Sequence, residues 1–208
     1  EISACLVGSE MCIRDRFDLD KNSGIEISEA SPQISDKNAV PSYIGQGTHN
    51  YTTSQLARYV TTIANSGTSY NISLLDKVTD SDGNVLEDFT PEVQSTIDLR
   101  DSEWNTIHAG MRQVVQNNEA FNGMNYSVAG KTGTAQQSKS RPSHGLFIGY
   151  APVEEPQLAL AVRIANGYSS ANAASVAREV ISYKFDLQDE ASLLTGTASS
   201  YVGTSQTD

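Results

Sequence analysis

A chain of 208 residues is long enough to bury a core of its own, and its even composition before residue 186 favours one domain. The formal net charge of −11 excludes a general electrostatic affinity for nucleic acid, because 25 acidic residues outnumber 14 basic ones and the basic residues do not cluster. No apolar run approaches the length that a bilayer requires, so we predict that these residues do not enter a membrane.

The first sixteen residues differ in character from those that follow. They contain both cysteines of the chain, Cys5 and Cys12, and show neither helical nor strand periodicity. The later part, LVGSEMCIRDR, resembles a translated adapter sequence, so we interpret residues 1–16 as a foreign leader, with a frayed native N-terminus as the alternative. The remaining residues lack cysteine, which suits an oxidising extracytoplasmic location.

An acidic stretch, DLDKNSGIEISE, imitates a calcium-binding loop between two helices. Oxygen-bearing side chains occupy five of the ligand positions of such a loop: Asp18, Asp20, Asn22, Glu26 and Glu29. However, Ser23 stands where the loop needs glycine, and Pro32 would interrupt the helix that leaves it. We therefore predict a solvated acidic turn that leads into a strand at residues 24–28, and no metal site.

A helix is predicted after Thr52. Thr52 and Gln55 have the spacing of a capping box, and Gly67 is a typical C-terminal stop. Four apolar residues repeat at helical spacing between them: Leu56, Tyr59, Val60 and Ile63. Residues 71–88 then predict two strands joined by a turn at residues 81–84, which is a β-hairpin.

The second predicted helix runs from Ser102 to Asn117. Its apolar stripe consists of Trp104, Ile107, Met111, Val114 and Val115. His108 lies on or beside this stripe, so we interpret it as a packed histidine and not as a ligand or a base.

The C-terminal half predicts a small antiparallel sheet with a covering helix. Strands are expected at residues 126–136, 144–150 and 157–165, followed by a helix from Ala171 to Phe185. Val176, Val180 and Ile181 are predicted to face inward. The short connections favour antiparallel neighbours and an α+β fold. Residues 186–208 are rich in Ser, Thr and Gly, so we predict a disordered polar tail.

The stretch AGKTGTAQ contains Gly130, Lys131 and Thr132, which look like the end of a phosphate-binding loop. Such a loop needs a glycine five residues earlier, where Asn125 stands, and a helix afterwards. The residues after Lys131 instead favour an edge strand that a ligand's backbone can approach closely. We therefore set the phosphate interpretation aside.

A Lys-Thr-Gly sequence on a strand is the third signature of the serine penicillin-recognising enzymes. Four stretches resemble the C-terminal half of class B penicillin-binding proteins, the peptidoglycan D,D-transpeptidases, in order and spacing: FDLDKNSGIEISEA, YIGQGTHNYTTSQLARYVTTIANSG, YSVAGKTGTAQ and HGLFIGYAP. The resemblance covers residues 17–185 and implies an antiparallel sheet flanked by helices, as in serine β-lactamases. Thr53 and the aspartates of the first stretch depart modestly from the family pattern.

The resemblance also implies roles for individual residues. Lys131 would direct positive charge toward the carboxylate of a D-Ala-D-Ala stem peptide, and the hydroxyls of Thr132 and Thr134 would bind the same carboxylate. The backbone N–H of Thr134 would be an oxyanion donor, and Gly133 would let the ligand approach. His144, on the neighbouring strand, is expected to pack and not to catalyse.

The family resemblance further implies ligands and a location. The expected ligands are peptidoglycan stem peptides and β-lactam antibiotics, without a cofactor or a metal ion. A cell-wall synthesis complex is a possible partner, and the parent protein would be membrane-anchored at the extracytoplasmic face of the bacterial cell membrane.

The family's nucleophile has no counterpart in this sequence. That nucleophile is a serine followed three residues later by lysine, and no Ser-x-x-Lys occurs in the chain. The second family motif, Ser-x-Asn, occurs only from Ser69 and from Ser170, at places that favour chance matches. We therefore expect the C-terminal part of a transpeptidase domain, cut off upstream of Phe17 and inactive alone. The alternative is a non-catalytic relative, a scaffold or binding domain that kept the fold and lost the serine.

Overall fold

The computed structural model describes residues 13–34 and 47–193. It forms two compact units, the first ending at Leu99 and the second beginning at Arg100. The length and composition favoured one domain, whereas each of these units has its own sheet structure. Within the described residues, no helix is both long enough and apolar enough to span a membrane.

The predicted leader and tail fall largely outside the described residues. Residues 13–16 form one helical turn, and a short helix occurs at Glu190–Leu193. The boundaries predicted at residues 16 and 186 stay predictions.

The first unit contains helix α1, Thr53–Ala64, where the sequence predicts it. The capping box is present, because the Thr52 hydroxyl accepts the Gln55 N–H at 3.1 Å and the Gln55 side chain accepts the Thr52 N–H at 2.8 Å. Val60 and Ile63 are buried as expected. The helix ends before Gly67, whose φ of +109° suits glycine.

Arg58 of α1 binds the acidic turn that precedes the helix. Its guanidinium donates to the backbone carbonyls of Asn22 at 2.6 Å, of Lys21 at 3.2 Å and of Asp18. The buried Asp18 carboxylate accepts from Lys21 at 2.7 Å and from the hydroxyl of Ser95. The first carboxylate of the apparent calcium loop is thus engaged by protein donors.

The strand predicted at residues 24–28 is wrong, because this segment is irregular. Glu29 accepts from the Ser23 N–H at 2.7 Å and from the Thr52 hydroxyl at 2.6 Å. Glu26 accepts from the Leu74 N–H at 2.9 Å. These side-chain contacts fix the segment without a strand partner, whereas a strand needs a hydrogen-bonded neighbour.

The strands of the first unit form two separate antiparallel pairs. Strand β1, Thr68–Tyr70, pairs with β4, Val93–Thr96, while β2, Lys77–Thr79, pairs with β3, Val85–Asp88. The second pair is the predicted hairpin, and its turn contains Gly83 at a φ of +85°. The hairpin prediction is therefore confirmed.

The second unit contains the antiparallel sheet predicted from the C-terminal half. Strands β5, Ala129–Ala135, β6, His144–Ala151, and β7, Leu158–Ile164, lie in this order. Both pairings are antiparallel, with Lys131 opposite Ile148 and Phe147 opposite Val162. The α+β prediction is confirmed.

Two long helices accompany this sheet. Helix α2, Asp101–Gln116, leads into a 3₁₀ turn at Glu119–Phe121, and helix α3, Ser170–Lys184, follows β7. The short helix at Glu190–Leu193 is α4. The core between α3 and the sheet includes Phe147, Leu160, Ala173, Ala174, Ala177 and Ile181.

The predicted inner face of α3 is partly wrong. Ile181 is fully buried, but Val176 and Val180 are each 43% exposed. The buried face instead follows three alanines, Ala173, Ala174 and Ala177. Small side chains let the helix lie close to β6, where Gly145 has no room for a Cβ against the Ser169 carbonyl at 2.3 Å.

Candidate active site

The Lys-Thr-Gly sequence lies on β5, which pairs only with β6 in the part of the chain that the structure describes. Side chains alternate along a strand, so Lys131 and Gly133 share one face while Gly130, Thr132 and Thr134 share the other. A Cβ on Gly130 would lie 2.3 Å from Cζ of the core residue Phe147, so the face of Gly130 is the one that α3 covers. Lys131 therefore projects from the opposite face.

The Lys131 ammonium lies at the open edge of the sheet. The residue is exposed, and its Nζ donates to the Thr132 carbonyl at 2.9 Å. Backbone groups of alternate residues point to the same side of a strand. The N–H of Thr134 is therefore expected at the edge to which the Thr132 carbonyl points. A positive charge and a backbone donor thus come together at one edge.

The two glycines of the motif have different surroundings. A Cβ on Gly133 would meet only the Leu146 side chain, at an ordinary contact distance of 3.5 Å. A Cβ on Gly130 would instead collide with Phe147 and with the Ile148 carbonyl, at 2.3 and 2.7 Å. Gly130 is therefore required by the packing of the protein itself. Gly133, which has no side chain, leaves space beside Lys131 for a ligand to approach.

Helix α2 holds the start of β5. Arg112 donates to the carbonyl of Val128, the residue before the strand, at 2.8 Å. One turn earlier, Nδ1 of His108 is hydrogen-bonded to the hydroxyl of Tyr150 on β6. Burial lowers the pKa of His108, and burial together with the charge of Glu154 raises the pKa of Tyr150 to about 12.

His108 packs, as the sequence predicts. Sequence reasoning did not find the positioning contact of Arg112. Arg112 stands four residues after His108 on a predicted helix, and that spacing is the signal that both side chains share one helix face.

His144 connects the segment that follows β5 with the turn that follows β7. It lies opposite Ala135, and only 8% of it is exposed. Its Nδ1 accepts the Asn166 N–H at 2.9 Å, so Nε2 carries the proton that is donated to Gln137 Oε1 at 2.9 Å. Burial, and then the positive charge of Arg163, lower the pKa of His144. The prediction that His144 packs agrees with this neutral, doubly bonded ring.

The two Ser-x-Asn sequences occupy buried positions. Ser69 lies on β1 and is 0% exposed, while Ser170 is the first residue of α3 and is 5% exposed. In this structure neither serine is accessible to a substrate.

The fold agrees with the resemblance found in the sequence: the Lys-Thr-Gly strand lies at the edge of the described antiparallel sheet that α3 covers. Residues 13–182 match the family described as the penicillin binding protein transpeptidase domain. The chain belongs to this family, so the resemblance inferred from the sequence motifs is confirmed.

Individual relatives agree with this assignment. The chain is 27% identical over 187 residues to penicillin-binding protein 2B of Streptococcus pneumoniae, which covers 79% of this chain and 27% of that protein. It is 31% identical over 156 residues to the peptidoglycan D,D-transpeptidase MrdA of Acinetobacter baumannii, with 67% of this chain and 23% of that protein covered. The chain thus spans about a quarter of the length of these relatives.

A solved structure shows the same fold. The structure of penicillin-binding protein 2B from Streptococcus pneumoniae strain R6 superposes with a TM-score of 0.72 at 25% identity. The match covers 89% of this chain and 34% of the other. The arrangement of helices and antiparallel sheet is therefore that of a transpeptidase domain.

Proposed function

We propose that the whole protein to which this sequence belongs is a peptidoglycan D,D-transpeptidase. It would crosslink stem peptides ending in D-Ala-D-Ala by serine acyl transfer, and β-lactams would acylate the same serine. The 208 residues would supply the Lys-Thr-Gly strand of this enzyme and not its nucleophile. The relatives named penicillin-binding protein 2B and peptidoglycan D,D-transpeptidase support this proposal.

The observation that carries the proposal is the geometry of β5. An acyl-transfer site needs positive charge for the substrate carboxylate and backbone donors aimed at the oxyanion of the tetrahedral intermediate. Lys131 provides the charge on an edge strand, and the expected direction of the Thr134 N–H provides one donor. Gly133 leaves the approach open. The binding of the same carboxylate by the hydroxyls of Thr132 and Thr134 stays a prediction: both side chains are partly exposed but lie on the face of β5 opposite to Lys131, so they would have to reach the carboxylate around the open edge.

The nucleophile is the part that this chain does not contain. Acylation needs a serine hydroxyl activated by a neighbouring base, and the sequence holds no Ser-x-x-Lys. The Lys131 strand alone can contribute orientation and electrostatic stabilisation, neither of which forms a covalent bond. We therefore propose that the isolated chain is not acylated, whereas the whole protein is.

The test is labelling with a fluorescent penicillin, followed by intact-mass measurement. The isolated chain should gain no mass, and the whole protein should gain one penicilloyl group. In the whole protein, Lys131→Ala should slow acylation by a factor on the order of 10–10², because a hydrogen bond between charged groups, here to the substrate carboxylate, contributes about 1.5–3 kcal/mol. Lys139→Ala, at an exposed lysine beyond the strand, is the control and should leave the rate unchanged.

Two results would contradict the proposal. A folded whole protein that takes up no penicillin would instead identify a non-catalytic scaffold or binding domain. A penicilloyl adduct on the isolated chain would show that one of its own serines is reactive, and peptide mapping would identify that serine.

The proposed chemistry also sets a location. Peptidoglycan is assembled outside the cytoplasmic membrane, so the whole protein is proposed to work at the extracytoplasmic face, anchored in the membrane and associated with a cell-wall synthesis complex. The absence of cysteine after residue 12 is compatible with that oxidising environment.

A further inference from the structure

The strands β2 and β3 belong to a segment that exposes an unusual number of apolar side chains. We call residues 74–92 the acidic hairpin. Nearly all of its residues are exposed. Its leucines and valines are between 43% and 68% exposed, namely Leu74, Leu75, Val78, Val85 and Leu86. Several exposed leucines and valines within one short segment are typical of an interaction surface.

The acidic hairpin is ordered by local polar contacts and not by a core. The Asp80 carboxylate accepts from the backbone N–H of Asp82 at 2.9 Å, and from the backbone and side-chain N–H groups of Asn84 at 2.8 Å each. Glu26 fixes the base of the hairpin through the Leu74 N–H at 2.9 Å. An isolated two-stranded hairpin is at best marginally stable, so these contacts hold in place a surface that buries little.

One edge of the acidic hairpin is regular and open. In the part of the chain that the structure describes, β2 pairs only with β3. The backbones of Asp76 and Asp80 bond to the opposite arm at 2.9 Å each. Because backbone groups alternate in direction, those of Lys77 and Thr79 point to the open edge. The register between the strands shifts within β3, so β2 offers the more regular edge.

The charge of the acidic hairpin defines its partner. One base, Lys77, accompanies six carboxylates: Asp76, Asp80, Asp82, Glu87, Asp88 and Glu92. Charged side chains on an edge strand oppose pairing with a strand of like charge. Here the strongly negative charge repels a second copy of the same chain and attracts a basic segment.

We propose that the open edge of β2 binds an extended segment of another protein, in which basic and apolar residues alternate, as an added strand. The backbone groups of Lys77 and Thr79 would hydrogen-bond to the segment. Its apolar residues would cover the exposed leucines and valines, and its basic residues would pair with the carboxylates. This interaction is independent of the Lys131 site.

The test uses ¹⁵N-labelled chain and three short synthetic peptides, observed by amide hydrogen exchange. The first peptide alternates Lys and Val, the second alternates Glu and Val, and the third keeps the lysines but replaces every valine by proline. At about 0.15 M salt, the Lys-Val peptide should slow exchange of the Lys77 and Thr79 amides by about tenfold or more. The Glu-Val and Lys-Pro peptides should not.

A pair of variants tests the edge directly. Thr79→Pro removes an N–H that points away from β3, so the hairpin should persist, as slow exchange of the Val78 amide would show. This variant should lose the protection by the Lys-Val peptide, whereas Thr79→Ala should keep it. Equal protection in both variants, or by the Lys-Pro peptide, would overturn the proposal. Shielding of both amides in the unliganded whole protein would also overturn it, because its own chain would then cover the edge.

Discussion

The two glycines that flank Lys131 should respond very differently to substitution by alanine. The Cβ of Gly130→Ala would lie 2.3 Å from Phe147 Cζ and 2.7 Å from the Ile148 carbonyl. Both Gly130 and Phe147 are buried, and α3 covers Phe147, so the ring cannot swing into solvent. The Cβ of Gly133→Ala would instead meet Leu146 at 3.5 Å, which is ordinary contact.

The structure sets the expected magnitude. Forcing a methyl group into a packed core typically costs about 1–3 kcal/mol. Either substitution also reduces the conformational freedom of the unfolded chain, and this effect stabilises the folded protein by roughly 0.4–1 kcal/mol. The effect is the same in both variants. The difference between the two variants therefore isolates the packing term, and Gly130→Ala should be less stable than Gly133→Ala by about 1–3 kcal/mol. For a unit of this size, each kcal/mol lowers Tm by about 4–8 °C.

The assay is urea and thermal unfolding followed by tryptophan fluorescence. The only tryptophan of the chain, Trp104, is buried in α2 of the second unit, so it reports on the unit that contains β5. Unchanged m-values would show that the variants differ in stability and not in the compactness of either state. Equal midpoints for Gly130→Ala and Gly133→Ala would refute the packing argument.

Two further outcomes are expected from the polar contacts. Thr52→Ala removes the α1 cap and the hydrogen bond to Glu29, so the free energy of unfolding of the first unit should fall by about 1–2 kcal/mol. The matched control Thr53→Ala should change it little. Far-UV circular dichroism in urea measures both variants. Equal losses would contradict the capping role. Because the folded pKa of His144 lies below its ordinary value near 6.5, the folded state binds fewer protons than the unfolded state. The stability of the second unit should therefore fall as pH drops through about 6.5 toward the lower folded pKa, and His144→Asn should flatten that slope in the Trp104 assay. An unchanged slope in this variant would show that other groups cause the pH dependence.

Local chemistry in the sequence determined several elements by itself. The capping residues Thr52 and Gln55 fix the start of α1, and the turn at residues 81–84 fixes the β2–β3 hairpin. These features depend on residues a few positions apart, so their sequence signal is strong. The short connections between residues 126 and 165 likewise allowed only antiparallel neighbours, and among the described residues the Lys-Thr-Gly strand lies on an edge of its sheet as predicted.

Only the tertiary structure decided which surfaces are buried. Val176 and Val180 are more apolar than Ala173 and Ala177, yet the alanines are buried because the start of α3 approaches Gly145 of β6 closely, which favours small side chains. Residues 24–28 alternate like a strand, but Glu26 and Glu29 find donors in distant segments and no ladder forms. Both outcomes depend on neighbours that are far away in sequence, and a pattern of adjacent residues carries no information about those neighbours.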